Sequence, residues 1–171
     1  MNGPAVPMSP EQITRNRRII VLVAAVFVAS SVGVLLWAMN VVGSQRDRAR
    51  GTDAALRSVA WAVLSYAAAN DGAFPTSDLA IAGVGEGAAP PAGKPWPSSR
   101  ESAMAGLPPV PVDEALRTVG VTWGASADVV PNLNTKGNPV SFGTVEAVNG
   151  WLAEYARDRA RGAGGKDSGS K

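Results

Sequence analysis

Residues 19–42 read IIVLVAAVFVASSVGVLLWAMNVV, an apolar stretch of 24 residues without a charged side chain. Arginines flank this stretch on both sides: Arg15, Arg17, Arg18, Arg46, Arg48 and Arg50. A helix of this length extends about 36 Å, which is enough to cross a hydrocarbon core of about 30 Å with some tilt. The sequence therefore predicts one transmembrane helix over residues 19–42.

A secretory signal peptide is the alternative interpretation of this stretch, because a basic region precedes it. The apolar run is longer than the core of roughly 7–15 residues in a typical signal peptide, and Arg46-Asp47-Arg48 is a poor cleavage context. These observations favour an uncleaved anchor. Three arginines lie near each end of the stretch, so the positive-inside rule gives almost no preference between the two orientations. We expect a bacterial cytoplasmic (inner) membrane protein with a cytoplasmic N-terminal tail and an extracytoplasmic, periplasmic C-terminal domain.

The helical pattern continues beyond the span without a proline. Six apolar residues recur at the spacing of one helix face: Leu56, Val59, Ala60, Val63, Leu64 and Ala67. Asn70-Asp71-Gly72 then ends the helix, because Gly72 suits a left-handed C-terminal cap. The sequence predicts one long helix over residues 15–70, with a transmembrane half and an amphipathic half.

The segment after this helix has the composition of a small domain with a long loop. Residues 83–111 contain seven prolines, which predicts a Pro/Gly-rich loop that Trp96 pins onto the domain. Within it, Ser98 and Glu101 have the spacing of a capping box, which predicts a short helix as far as Gly106.

Three short segments have the composition and alternation of β-strands: residues 119–123, 128–133 and 140–142. They predict a small antiparallel meander. Thr144 is placed to cap a final helix over residues 145–161, with Val148, Leu152 and Tyr155 on one face. The predicted fold is α+β: the long N-terminal helix packs on a small antiparallel sheet, and a C-terminal helix follows. Residues 71–161 form the soluble head, 1–14 a flexible tail and 162–171 a disordered tail.

Composition excludes most enzyme classes. The chain contains no cysteine and no histidine, which removes thiol chemistry, Ser-His-Asp catalysis and the common zinc sites. Three of the 16 basic residues and one of the 14 acidic residues precede residue 43, so 13 of each follow it. A neutral soluble part gives no basic face for nucleic acid. We therefore predict no enzymatic activity, no catalytic or cofactor-binding residue and no nucleic-acid partner. The lipid bilayer is the expected partner.

Small residues repeat every fourth position within the span, at Ala25, Ala29 and Gly33. Such a stripe lets two transmembrane helices approach closely. The alternative is that alanine and glycine are simply common in the spans of an alanine-rich chain. The stripe predicts a helix-packing face in the membrane.

The order of elements resembles that of type IV pilins and type II secretion pseudopilins. The local match lies in residues 53–66 and in the run Asn70-Asp71-Gly72-Ala73-Phe74-Pro75-Thr76, which is similar to the end of the major-pseudopilin helix and the turn after it. The resemblance covers residues 15–80 by motif and the remainder by element order. It implies a structural or assembly role in a secretion or pilus-type system, with pilin-like or secretion-machine proteins as partners. The alternative is a membrane-tethered extracytoplasmic binding module unrelated to secretion.

Two further expectations follow from this resemblance. Pilin-like precursors carry a glycine before an aromatic residue and a glutamate five residues into the mature helix, whereas Arg17 to Ala24 contain neither the glycine nor the acid. The span would then remain as a permanent anchor. Major pseudopilins also bind calcium in a loop near the sheet, for which this chain offers four weak candidates, at Asp128, Asn132, Asn134 and Asn138. The alternative is that these residues only form turns.

Overall fold

The computed structural model describes residues 10–82 and 88–164. Its first helix, α1, covers Pro10–Ala69, which confirms the long N-terminal helix. Proline is suited to a first helical position because its missing N–H has no partner there. The helix therefore begins five residues earlier than predicted, and residues 10–14 belong to it. The remainder of the predicted N-terminal tail, residues 1–9, lies outside the described residues.

The chain divides into two compact units, Met1–Ser44 and Gln45–Lys171. In the first unit the large apolar side chains are exposed: Phe27 is 72% exposed and Leu36 is 62% exposed. By length and composition this is a helix that can cross a membrane. A single long apolar N-terminal helix thus fits a membrane anchor.

The second unit, which we call the head, contains the end of α1 and six shorter elements. These are α2 (Asp78–Ala82), α3 (Arg100–Met104), α4 (Val112–Thr118), β1 (Gly120–Thr122), β2 (Asn132–Asn134) and α5 (Thr144–Gly164). The C-terminal helix is confirmed and continues to Gly164, three residues beyond its predicted end. The rest of the predicted disordered tail, residues 165–171, is outside the described part of the chain.

The sheet has two antiparallel strands, and Val121 lies opposite Leu133. The antiparallel sheet is confirmed, but the prediction of three strands is wrong. The second strand begins at Asn132 because Ser126 to Val129 form a turn and Pro131 has no N–H to donate. Residues 140–142 form no strand, because the chain turns there and Gly143 adopts a φ of +81°.

The Pro/Gly-rich segment contains α3, whose start differs from the prediction by one residue. Ser99 is the N-cap, and its side chain and that of Ser102 form the capping box, so Ser98 and Glu101 do not. The helix ends at Met104 because Ala105 (φ +48°) and Gly106 (φ +80°) turn left-handed. Residues 83–87 of the predicted loop are outside the described residues.

The core surrounds the head's part of α1. The whole predicted stripe is buried, and each of its six residues is 0% exposed. Burial extends beyond this stripe: from Thr52 to Ala67, every side chain is buried except those of Arg57 and Tyr66, which are half-buried. This part of the helix is therefore enclosed on all sides, so its burial extends beyond the apolar stripe that the sequence marked. Side chains from other described parts of the head complete the core, among them Phe74, Ile81, Trp96, Ala115, Val119, Leu133, Val148, Leu152 and Tyr155.

Candidate functional site

The small-residue stripe of the first unit is accessible. Ala25, Ala29 and Gly33 are exposed on α1, and a Cβ added at Gly33 would meet nothing within 4 Å. The helix presents these positions without steric obstruction, as close packing of a second transmembrane helix requires. Their role in helix packing remains a prediction.

The hydroxyl groups in the apolar stretch are satisfied within the helix. Ser30 donates to the carbonyl oxygen of Val26 at 2.8 Å, and Ser31 donates to that of Phe27 at 2.9 Å. In hydrocarbon an unpaired polar group is costly, so these internal hydrogen bonds make both serines compatible with a lipid environment.

The four calcium candidates lie on or beside the sheet and its turns. The Oδ1 of Asn134 accepts the Lys136 N–H at 3.0 Å, and the Nδ2 of Asn138 donates to the Thr118 carbonyl at 2.8 Å. Asn132 is exposed on β2, and Asp128 is exposed in the turn before it. Within residues 10–82 and 88–164, no group of three or more Asp or Glu side chains could hold a metal ion. Asn134 thus closes a local turn and Asn138 joins that region to the end of α4, and the calcium site remains a prediction.

Trp96 pins the Pro/Gly-rich segment to the head, as predicted. Its side chain is 4% exposed, and its Nε1–H donates to the Pro91 carbonyl at 3.2 Å. The ring meets that of Tyr155 edge-on, with centroids 5.2 Å apart, and Phe74 meets Tyr155 in the same way at 6.1 Å. Because Trp96 is enclosed in this aromatic cluster, it has no surface to offer a partner.

Burial raises the pKa of the Tyr155 hydroxyl above its ordinary value of 10.0, an effect that the Arg159 charge opposes and the Asp158 charge reinforces. The hydroxyl is therefore neutral at physiological pH. Its surroundings are those of a packed core residue.

Polar side chains of the enclosed helix attach distant parts of the head to it. The Oδ1 of Asp53 accepts the Ser141 N–H at 3.0 Å, and the Nη1 of Arg57 donates to the Ala103 carbonyl at 2.9 Å. Ser58 Oγ accepts the Val110 N–H at 3.1 Å. Sequence reasoning missed these contacts, since the partners lie 46 to 88 residues away along the chain. The signal that the sequence offered for these contacts was the presence of polar residues among the apolar residues of this part of α1.

An apolar groove of about 520 Å³ opens beside α3. It lies within the predicted Pro/Gly-rich loop and is lined by Arg100, Glu101, Met104, Gly106, Leu107, Pro108 and Pro109. Arg100 and Glu101 are the only charged side chains in that lining. Such a surface can take an apolar side chain of a partner.

A second, more polar groove of about 430 Å³ lies where α1 ends. Asp71, Asp128 and Arg159 contribute its charged side chains. The guanidinium of Arg159 lies over Gly72, so closely that a Cβ at residue 72 would be 2.1 Å from its Nε. Gly72 has the left-handed φ of +85° that the sequence predicted.

Comparison of the chain with protein-family models, with curated proteins and with solved structures found no significant match.

Proposed function

We propose that this protein is a single-pass membrane protein whose extracytoplasmic head has a structural or assembly role in a secretion or pilus-type system. The observation that carries the proposal is the division of one helix into two environments. Its residues 19–42 are apolar and almost all exposed, whereas residues 52–67 form the centre of the head. An exposed apolar stretch of this length suits lipid, and a head built around the continuation of that helix is what the sequence resemblance to pseudopilins implies.

The described chemistry of the head supports a structural role. The chain has no histidine or cysteine, and the polar contacts of the enclosed helix serve packing. Of the residues that α1 contributes to the core, Asp53, Arg57 and Ser58 bind backbone groups of distant segments. These contacts make a rigid body on the helix, as a subunit of an assembly needs.

The membrane part of this proposal is tested by single-cysteine labelling, which the cysteine-free chain permits without background. Leu79 is 87% exposed in the head, so Leu79→Cys should react with a membrane-impermeant maleimide in spheroplasts before lysis. The chain should also stay in the membrane during alkaline extraction. Reaction only after lysis contradicts an extracytoplasmic head, and release by alkali contradicts the anchor.

The assembly part is tested by crosslinking in native membranes. Ala29→Cys places a thiol on the small-residue stripe, and Ser31→Cys is its control because it lies about 200° further around the helix. We expect Ala29→Cys to crosslink selectively to pilin-like or secretion-machine components. Equal crosslinking at both positions, or recovery of the chain as a monomer, contradicts an assembly role through this face.

The second candidate function is a membrane-tethered binding module, and the apolar groove beside α3 is the observation that favours it. Pro109 is exposed at this groove, so Pro109→Asp should leave the fold intact while placing a charge against an apolar partner. If Pro109→Asp fails to crosslink a partner that the unsubstituted protein does crosslink, while crosslinking at Ala29→Cys is unchanged, the binding module is favoured. Unchanged partner recovery would count against it.

A further inference from the structure

Phe142 is the most exposed large apolar side chain in the described part of the head, at 108%. It lies in a tight turn in which the Thr144 N–H donates to the Ser141 carbonyl at 3.3 Å. Gly143, in the same turn, has a φ of +81°. The Ser141 N–H donates to Asp53 Oδ1 at 3.0 Å, and Thr144 is 5% exposed. Because both ends of the turn are attached to the head, the ring of Phe142 projects from a fixed position.

The apolar groove beside α3 is a complementary feature of the same head. Met104, which is 3% exposed, lies deep in its lining, and Leu107, Pro108 and Pro109 add apolar surface. The groove has a volume of about 520 Å³, whereas an enclosed apolar cavity of about 150 Å³ already holds a benzene molecule. Methionine sulfur also contacts aromatic rings favourably. The head thus carries both a projecting phenyl ring and a groove that suits one.

The turn and the groove lie on different sides of α1. The turn meets the helix at Asp53 through Ser141. In the groove lining, Met104 contacts Ser58 Oγ through its sulfur at 3.6 Å and packs with Trp61. From Asp53, Ser58 lies about 140° around the helix and Trp61 about 80°, and they are about 8 Å and 12 Å further along its axis. The ring is therefore well separated from the groove of its own head, in agreement with its full exposure, and another molecule has to fill that groove.

The charged residues beside the two features are also complementary. Glu146, in the first turn of α5, follows Phe142 closely and is exposed. Arg100 is exposed in the lining of the groove, which it shares with Glu101. Among the described residues, neither Arg100 nor Glu146 takes part in an ion pair. When the ring of one head enters the groove of another, Glu146 can pair with Arg100, and this pairing would orient the contact.

We propose that the head binds a second copy of this chain, with Phe142 of one copy in the apolar groove beside α3 of the next. Both surfaces belong to the head unit, Gln45–Lys171. Because the contact joins two different surfaces, it is heterologous, and its repetition gives a ring or a helical filament. The inference rests on the assembly role proposed above, for which it names a partner and a contact.

The test is crosslinking between two full-length copies, which the absence of cysteine permits without background. One copy carries Ser141→Cys beside the ring, and a differently tagged copy carries Pro108→Cys at the groove. The two are produced together, and their native membranes are treated with a short bis-maleimide. We expect an adduct that contains one copy of each. Leu79→Cys replaces Ser141→Cys in the matched control, because Leu79 is 87% exposed and follows the far end of α1, and it should give several-fold less adduct.

Two sets of substitutions distinguish docking of the ring from random collision. Phe142→Ala in the Ser141→Cys copy should lower the yield of the adduct several-fold, and thermal unfolding should be unchanged because the ring is fully exposed. Arg100→Glu in the Pro108→Cys copy should also lower the yield, and Glu146→Arg in the Ser141→Cys copy should restore it. An adduct that survives Phe142→Ala, or a lost adduct that Glu146→Arg does not restore, overturns the proposed contact.

The remaining outcomes separate this inference from the assembly role. Absence of the mixed adduct, with Ala29→Cys still crosslinked to pilin-like or secretion-machine components, overturns the docking and leaves the assembly role standing. Recovery of monomer in both experiments overturns both. An equally abundant adduct between two Ser141→Cys copies indicates a two-fold contact and overturns the heterologous one. Capture of the Pro108→Cys copy by a different protein alone identifies that protein as the occupant of the groove, and also overturns the proposal.

Discussion

Two stretches of the same helix show how little hydrophobicity alone says about burial. Residues 19–42 contain no charged residue and are exposed almost throughout, whereas residues 52–67 include Asp53, Arg57 and two serines and are almost wholly buried. The first stretch has no protein around it, and the second has an entire domain around it. Burial is thus set by what the rest of the chain can place against a helix, and Asp53, Arg57 and Ser58 each meet a backbone partner there.

The largest expected effect comes from matched leucines in these two stretches. Leu64 is 0% exposed and Leu36 is 62% exposed. Leu64→Ala should lower the free energy of unfolding of the head by about 2–5 kcal/mol, because it leaves a cavity in a packed core. Leu36→Ala should leave it unchanged. Urea unfolding followed by near-ultraviolet circular dichroism in detergent micelles measures both, and equal effects would refute the division of the helix.

A smaller effect is expected at the buried carboxylate. Asp53→Ala removes the acceptor of the Ser141 N–H, so it should destabilise the head by roughly 1.5–3 kcal/mol, the usual range for a hydrogen bond to a charged group. Asp53→Asn keeps an oxygen at this position and should lose less. The same urea titration measures both variants. If alanine and asparagine are equally tolerated, the carboxylate does not hold the turn at residues 141–144 in place.

Gly33, in the first stretch, and Gly72, which follows the end of α1, should respond differently to substitution by alanine. Gly72→Ala meets both the left-handed φ of +85° and the Arg159 guanidinium, so the head should lose about 1–2 kcal/mol. Gly33 has open space around it, and Gly33→Ala should leave unfolding of the head unchanged. Membrane retention after alkaline extraction should be normal in both proteins. A loss of retention in Gly72→Ala would show that the head and the span are not separate in stability.

The smallest effect is a change of stability at alkaline pH. The pKa of Tyr155 is raised by burial, so in the unfolded chain this hydroxyl ionises at a lower pH than in the native head. Its contribution is fully present below about pH 10, the usual pKa of tyrosine, and is lost as the pH rises through the native pKa. Tyr155→Phe should therefore reduce the alkaline fall in stability. Unfolding measured from pH 8 to pH 12 tests this, and an unchanged slope contradicts it.

Much of the head was predictable where local pattern and tertiary packing agree. The stripe from Leu56 to Ala67 was correctly assigned to the core because its helical period marks the face that any partner would cover. Gly72 was correctly placed at a left-handed turn, since few other residues adopt that backbone conformation at low cost. Val148, Leu152 and Tyr155 were correctly assigned to one buried face of α5.

The errors lie where distant parts of the chain compete for the same backbone. Val140 and Phe142 alternate as a strand does, yet the Ser141 N–H is used by Asp53, which is 88 residues away. The periodicity of α1 marked one apolar stripe but not the burial beyond it, where Trp61 packs with Ala103 and Met104 of α3. Neither the calcium candidates nor the small-residue stripe could be decided, since their ligands and partners are other molecules.

The sequence by itself determined the long helix, its uncharged stretch, its end at Gly72 and the absence of histidine and cysteine chemistry. These features depend on composition and on short-range periodicity, which act within a few turns of the chain. Only the tertiary structure decided that the second half of the helix is enclosed on every side, that Asp53 holds the turn at residues 141–144 and that Phe142 is left outside. Those outcomes depend on which distant groups meet, and no local pattern specifies that.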